Sequence, residues 1–255
     1  MTRPLIFISH ISEEAELATA LKESIQDSFL GMIEIFVSSD KQSIPLGSNW
    51  LQQISTALER ASIILICCGP QSISRPWINF EAGAGWVRKV SVVPICHSGL
   101  EPSKLSLPFS LLQGIEIRDA KEISELFGLI ASSIGCTKPK VMHDDLVAKI
   151  KHFEKRNRVG AIAAPHMEAI RERYPELGNL MDSSFGDDVV IESAEDWKVN
   201  SVRPNLMALE KSKLLEYYYN KNQIRIVTGG AGSFEGGSLT VKLTPELTEY
   251  LFPYW

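Results

Sequence analysis

Five short apolar runs in the first 136 residues, separated mostly by stretches of helical periodicity, constrain this chain more than any other feature. Leu5-Ile6-Phe7-Ile8, Ile33 to Val37, Ile63-Ile64-Leu65-Ile66-Cys67-Cys68, Val90 to Ile95 and Ile115 to Ile117 mostly lack the polar alternation of a strand with one wet face. Strands apolar on both sides are covered on both sides, and strands alternating with helices pair in parallel. The helices between them carry one buried stripe each. Leu17, Leu21, Ile25 and Phe29 recur every four residues after Ser12, which is placed to cap a helix with Glu13 and Glu14 in its first turn. Trp50, Leu51, Ile54, Ala57, Leu58 and Ala61 form the second stripe, and Ile123, Leu126, Phe127 and Ile130 a later one. The fold class is α/β, a flavodoxin-like open parallel sheet, followed by a second, smaller α+β domain.

In such a sheet ligands bind beyond the carboxyl ends of the strands, where strand order reverses. Ser9, His10, Asp40 and the segment from Gly69 to Glu81 all lie just past such ends. Within Ser74-Arg75-Pro76-Trp77-Ile78-Asn79-Phe80-Glu81, a helix opening at Pro76 puts Trp77 and Glu81 on one face at i, i+4. The carboxylate is either an ordinary first-turn acid beside a core Trp, or a group of raised pKa and fixed orientation suited to a sugar hydroxyl or a developing cation.

These pieces, taken together, resemble the TIR (Toll/interleukin-1 receptor) domain, in particular its bacterial branch. The resemblance rests on Phe7-Ile8-Ser9-His10, on the loop Ser38-Ser39-Asp40-Lys41-Gln42-Ser43-Ile44-Pro45-Leu46-Gly47-Ser48-Asn49-Trp50, on Ser74-Arg75-Pro76-Trp77 with Glu81, and on Val93-Pro94-Ile95, in that order over residues 4 to 136. It implies an NAD glycohydrolase that breaks the nicotinamide–ribose bond, with NAD+ as substrate and no cofactor or metal. The family's catalytic carboxylate falls on Glu81, and its neighbouring Trp, a stacking surface, on Trp77. Ser9, His10, Asp40 and Lys41 fall where such domains contact the nucleotide, although capping or turn roles suit Ser9, Asp40 and Lys41 equally. Some members that cleave NAD carry a basic residue soon after the first strand, where this chain reads His10-Ile11-Ser12, so diphosphate contacts would come from elsewhere, such as Lys41 or Arg75.

The resemblance also implies activation by self-association, with the Asp40 to Trp50 loop completing a neighbouring copy's site. The reading that follows is a cytoplasmic bacterial anti-phage or immune-type effector. Its alternatives are a TIR cyclase making a cyclic ADP-ribose signal and a non-enzymatic TIR–TIR interaction protein.

Length and charge agree with a two-part chain. The expected layout of the 255 residues is a TIR domain over 1–136, a helical linker over 137–160, and a sensor or assembly module over 161–255 that a small-molecule or protein activator engages. No apolar run approaches the ~20 residues that span a bilayer, and no signal peptide is visible, so no membrane partner is expected. The four cysteines show neither a disulfide framework nor metal-ligand spacing. Neither part has a basic excess, which speaks against nucleic acid, although a helix followed by a two-stranded wing with Arg203, Lys211, Lys213, Lys221 and Arg225 carries a weak winged-helix signal. In the second half the expected elements are a helix over 165–174, a strand over 188–192, a helix over 205–220, and strands over 223–227 and 239–243. The glycine-rich connection from Thr228 to Ser238 between those strands is either a flexible tip or a cradle for a small anion.

Overall fold

The structure is a computed structural model in which residues 3–38, 50–228 and 232–252 are described. Asp40, Lys41 and the rest of their loop up to Asn49 lie outside the described residues. The chain forms two compact units, Met1–Lys155 and Arg156–Trp255, which divide within the stretch expected as a linker.

In the first unit, β1 (Leu5–Ser9), β2 (Glu34–Val37), β3 (Ala61–Cys68), β4 (Ser91–Cys96) and β5 (Ile115–Glu116) form one sheet in the order β2-β1-β3-β4-β5. All four pairings are parallel. The unbroken apolar runs are explained by the two cores. Ile6, Ile8, Ile63 and Leu65 enter one with α1 (Ala15–Ser28), α4 (Ala120–Ile134) and the first turns of α5 (Asp144–Arg173) through Leu146, Ile150 and Phe153. Leu5, Phe7, Ile64 and Ile66 enter the other, beneath α2 (Trp50–Arg60) and α3 (Pro76–Val87).

Strand order reverses between β1 and β3, whose carboxyl ends carry Ser9 and Gly69. That opening is where the site is built.

Helix α3 lies close on the sheet because Gly85 has no side chain. A Cβ there would stand 2.6 Å from Ile64 Cδ1 and 2.6 Å from Val92 Cγ2. Gly85→Val is therefore expected to cost about 1–3 kcal/mol by overpacking. Thermal unfolding of the full chain followed by circular dichroism checks it, and an unchanged midpoint would refute the close approach.

The start of α1 differs from the sequence expectation. Ser12–Glu14 forms a single 3-10 turn, α1 opens at Ala15, and no side chain caps either. Instead the Glu14 carboxylate accepts the backbone N–H of Ile11 at 3.2 Å.

In the second unit, β6 (Val189–Glu195), β7 (Leu215–Thr228) and β8 (Gly232–Leu243) form an antiparallel sheet in the order β6-β8-β7. Its core joins Ala163, Met167 and Ile170 of α5 and Leu177 of α6 (Pro175–Met181) to Val199, Val202, Leu206 and Leu209 of α7 (Asp196–Lys211). A last helix, α8 (Pro245–Leu251), adds Leu247.

Two expectations are corrected here. The helix expected to run to residue 220 stops at Lys211, and Leu215, Tyr218 and their neighbours are strand. The turn is made by Lys213, which takes a positive φ of 58°, while Leu214 N–H returns to Leu209 O at 3.0 Å. The glycine-rich connection is also largely strand: residues 232–238 pair along β7, and Gly237 is needed where a Cβ would meet the Asn220 carbonyl oxygen at 2.1 Å. No described helix is long and apolar enough to cross a membrane.

Candidate active site

Ser9 closes β1 and is fully buried, because its neighbours on β1 point into both cores. Pro76 opens α3, with Arg75 in extended conformation as the residue before it. Trp77 then stands in the first turn, and Glu81 one turn later has no exposed surface.

The three side chains meet. Trp77 Nε1–H donates to Glu81 Oε1 at 2.8 Å, and the Ser9 hydroxyl donates to Glu81 Oε2. Burial pushes the Glu81 carboxyl up to about 7, while the bonds from Ser9 and Trp77 pull it back down. Two donors aimed at one buried carboxylate hold its orientation, and a pKa near neutrality lets it exchange charge state under ordinary conditions.

Beside this group opens a cleft of about 600 Å³ whose walls include His10, Glu13, Ser38, Trp50, Arg75 and Trp77. His10 is nearly buried, and its Nδ1–H donates to Ile11 O at 2.6 Å. Trp77 stacks with Trp50 at a centroid distance of 4.7 Å and with Phe80 at 5.0 Å. Trp50 is 46% exposed and Phe80 49%. Trp50 therefore belongs to the cleft wall, not to the buried stripe expected of α2.

The structure thus joins Ser9, Trp77 and Glu81 by hydrogen bonds at one strand end, with His10 and Trp77 on the cleft wall and Ser9 and Glu81 buried behind it.

A second buried pair shapes the same opening and was not singled out in the sequence. His97 Nε2–H donates to Glu14 Oε1 at 2.9 Å, both side chains being buried. The other oxygen of Glu14 holds Ile11, which fixes the turn that presents Glu13 to the cleft. Gly69 makes room, since a Cβ would lie 2.5 Å from His97 Cε1. The usable signal was position: His97 follows the end of β4 directly, on the carboxyl edge of the sheet.

The cysteines supply no nucleophile here. Burial raises the Cys67 and Cys68 thiols well above the ordinary value and pushes Cys96 up to about 12. Among the described residues no three His, Cys, Asp or Glu side chains converge as a metal-binding set.

Residues 6–128 match the family model described as TIR domain. No curated protein matches the chain. The order β2-β1-β3-β4-β5, two helical layers and the match over those residues lead to one identification: the N-terminal part of this chain is a TIR domain.

Proposed function

We propose that the TIR domain is an NAD+ glycohydrolase, in which water replaces nicotinamide at the anomeric carbon and gives nicotinamide, ADP-ribose and a proton. The observation that carries this reading is the buried Glu81 carboxylate, held by Ser9 and Trp77 beside a cleft at the switch point of the sheet.

The nicotinamide ring is cationic in the substrate, so the leaving group departs neutral without being protonated. What the reaction asks of the protein is a negative charge near the oxocarbenium-like ribose and a fixed position for the sugar. Ionised Glu81 supplies both. In this reading a ribose hydroxyl reaches Oε1 by replacing the indole N–H of Trp77, which stands on the cleft wall. Ser9 keeps the second oxygen in place during that exchange. The aromatic faces of Trp50 and Trp77 suit a nicotinamide ring or a base.

Activation in this reading is by self-association of TIR domains, under control of the second unit through a small-molecule or protein activator, in an immune-type effector directed at phage. Incubating the full chain with NAD+ and resolving the products by chromatography and mass spectrometry tests it, with light scattering in parallel and lysate from phage-infected cells as the activator source. Nicotinamide with ADP-ribose, appearing as the mass increases, supports it. A product lighter than ADP-ribose by one water makes the protein a cyclase. Assembly with no loss of NAD+ makes it an interaction module.

A further inference from the structure

We propose that Arg75 anchors the phosphates of a dinucleotide substrate, and that Glu13 holds its guanidinium across the mouth of the cleft until phosphate displaces it. This rests on the glycohydrolase reading and adds to it the part of the substrate that Glu81 does not address.

Arg75 and Glu13 come from different elements, the residue before α3 and the turn after β1, and both line the same cleft. Arg75 Nη2 meets Glu13 Oε1 at 3.3 Å, through side chains 54% and 46% exposed. A single contact between half-exposed charges is weak and readily exchanged. The guanidinium is the permanent positive charge among the described residues of the cleft wall, and its planar fork matches two phosphate oxygens better than it matches one carboxylate oxygen.

Placement agrees with this assignment. Arg75 precedes Glu81 by six residues, which along a helix is about 9 Å. A phosphate carried on the 5′ carbon of a ribose resting against Glu81 is within reach of an Arg side chain at that separation. Glu13 sits on a rigid mount, because Glu14, next in sequence, is tied to His97 and to Ile11 N. A carboxylate fixed so close to Arg75 competes with an incoming phosphate and sets how tightly it is held.

The proposal predicts opposite effects of two charge removals. Titrating ADP-ribose into the full chain by calorimetry, Arg75→Ala is expected to weaken binding at least tenfold, Arg75→Lys less, and Glu13→Gln to strengthen it severalfold. In NAD+ turnover the same changes act on KM more than on kcat. The loss of kcat/KM in Arg75→Ala is at least tenfold greater for NAD+ than for nicotinamide riboside, which has the same scissile bond and no phosphate. ADP-ribose affinity unchanged within threefold in Arg75→Ala, or equal losses on the two substrates, would overturn the assignment. Should the wild type cleave neither substrate, the glycohydrolase reading fails by itself, and the titration still decides the phosphate anchor.

Discussion

NAD+ cleavage is expected to fall by roughly 10²–10³ in Glu81→Gln, measured as kcat/KM under conditions that activate the wild type. The substitution removes the charge and little else. A Gln amide fits the same partners: its oxygen accepts from Trp77 Nε1–H, and its nitrogen donates to Ser9 Oγ, whose hydroxyl turns to accept. A folding defect is therefore not the expected cause of the loss. Activity retained within about tenfold would mean that Glu81 is a structural acid, and the glycohydrolase reading would lose the observation on which it stands.

The second large effect is on the pH profile. In the proposed reaction Glu81 acts in its ionised form, and burial has moved its ionisation up to about 7. The value of kcat/KM should climb about tenfold per pH unit on the acid side, bend near pH 7, and level off above it. The bonds from Ser9 and Trp77 favour the charged form, so removing one moves the bend further up. Ser9→Ala is expected to shift it to higher pH while leaving the plateau far less affected than Glu81→Gln does. A profile flat from pH 5 to 8 in the wild type, or a bend unmoved in Ser9→Ala, would count against the geometry described here.

Which features could be read from the chain follows from how local their causes are. Leu5 and Phe7 enter one core while Ile6 and Ile8 enter the other, and an unbroken apolar run announces that arrangement without further information. The facing of Trp77 and Glu81 is a property of helical geometry once Pro76 marks the start, and their hydrogen bond needs nothing from elsewhere in the chain. Ser9 could be placed at a strand end, yet its bond to a side chain 72 positions away could not. Glu14 and His97 are separated by 83 positions and met only when the fold closed. The misplaced end of α7 has a different cause. Leu214, Leu215 and Tyr218 continue the spacing of Leu206 and Leu209, and the stop is a left-handed Lys213, a conformation that lysine does not advertise.

The buried carboxylate also ties the folding equilibrium to the proton. An acid whose pKa is about 7 in the native state against an ordinary 4.5 takes up a proton on folding. Its penalty is absent below the lower value, grows as pH rises through the interval, and is complete above the upper one. That interval corresponds to about 3 kcal/mol, a large fraction of what holds a domain together. Glu81 thus lowers stability most where it is charged, and Glu81→Gln should melt higher than the wild type at pH 8 and lose most of that advantage at pH 5. Association offsets such a cost, since a partner that binds only the folded form restores the stability that ionisation removes.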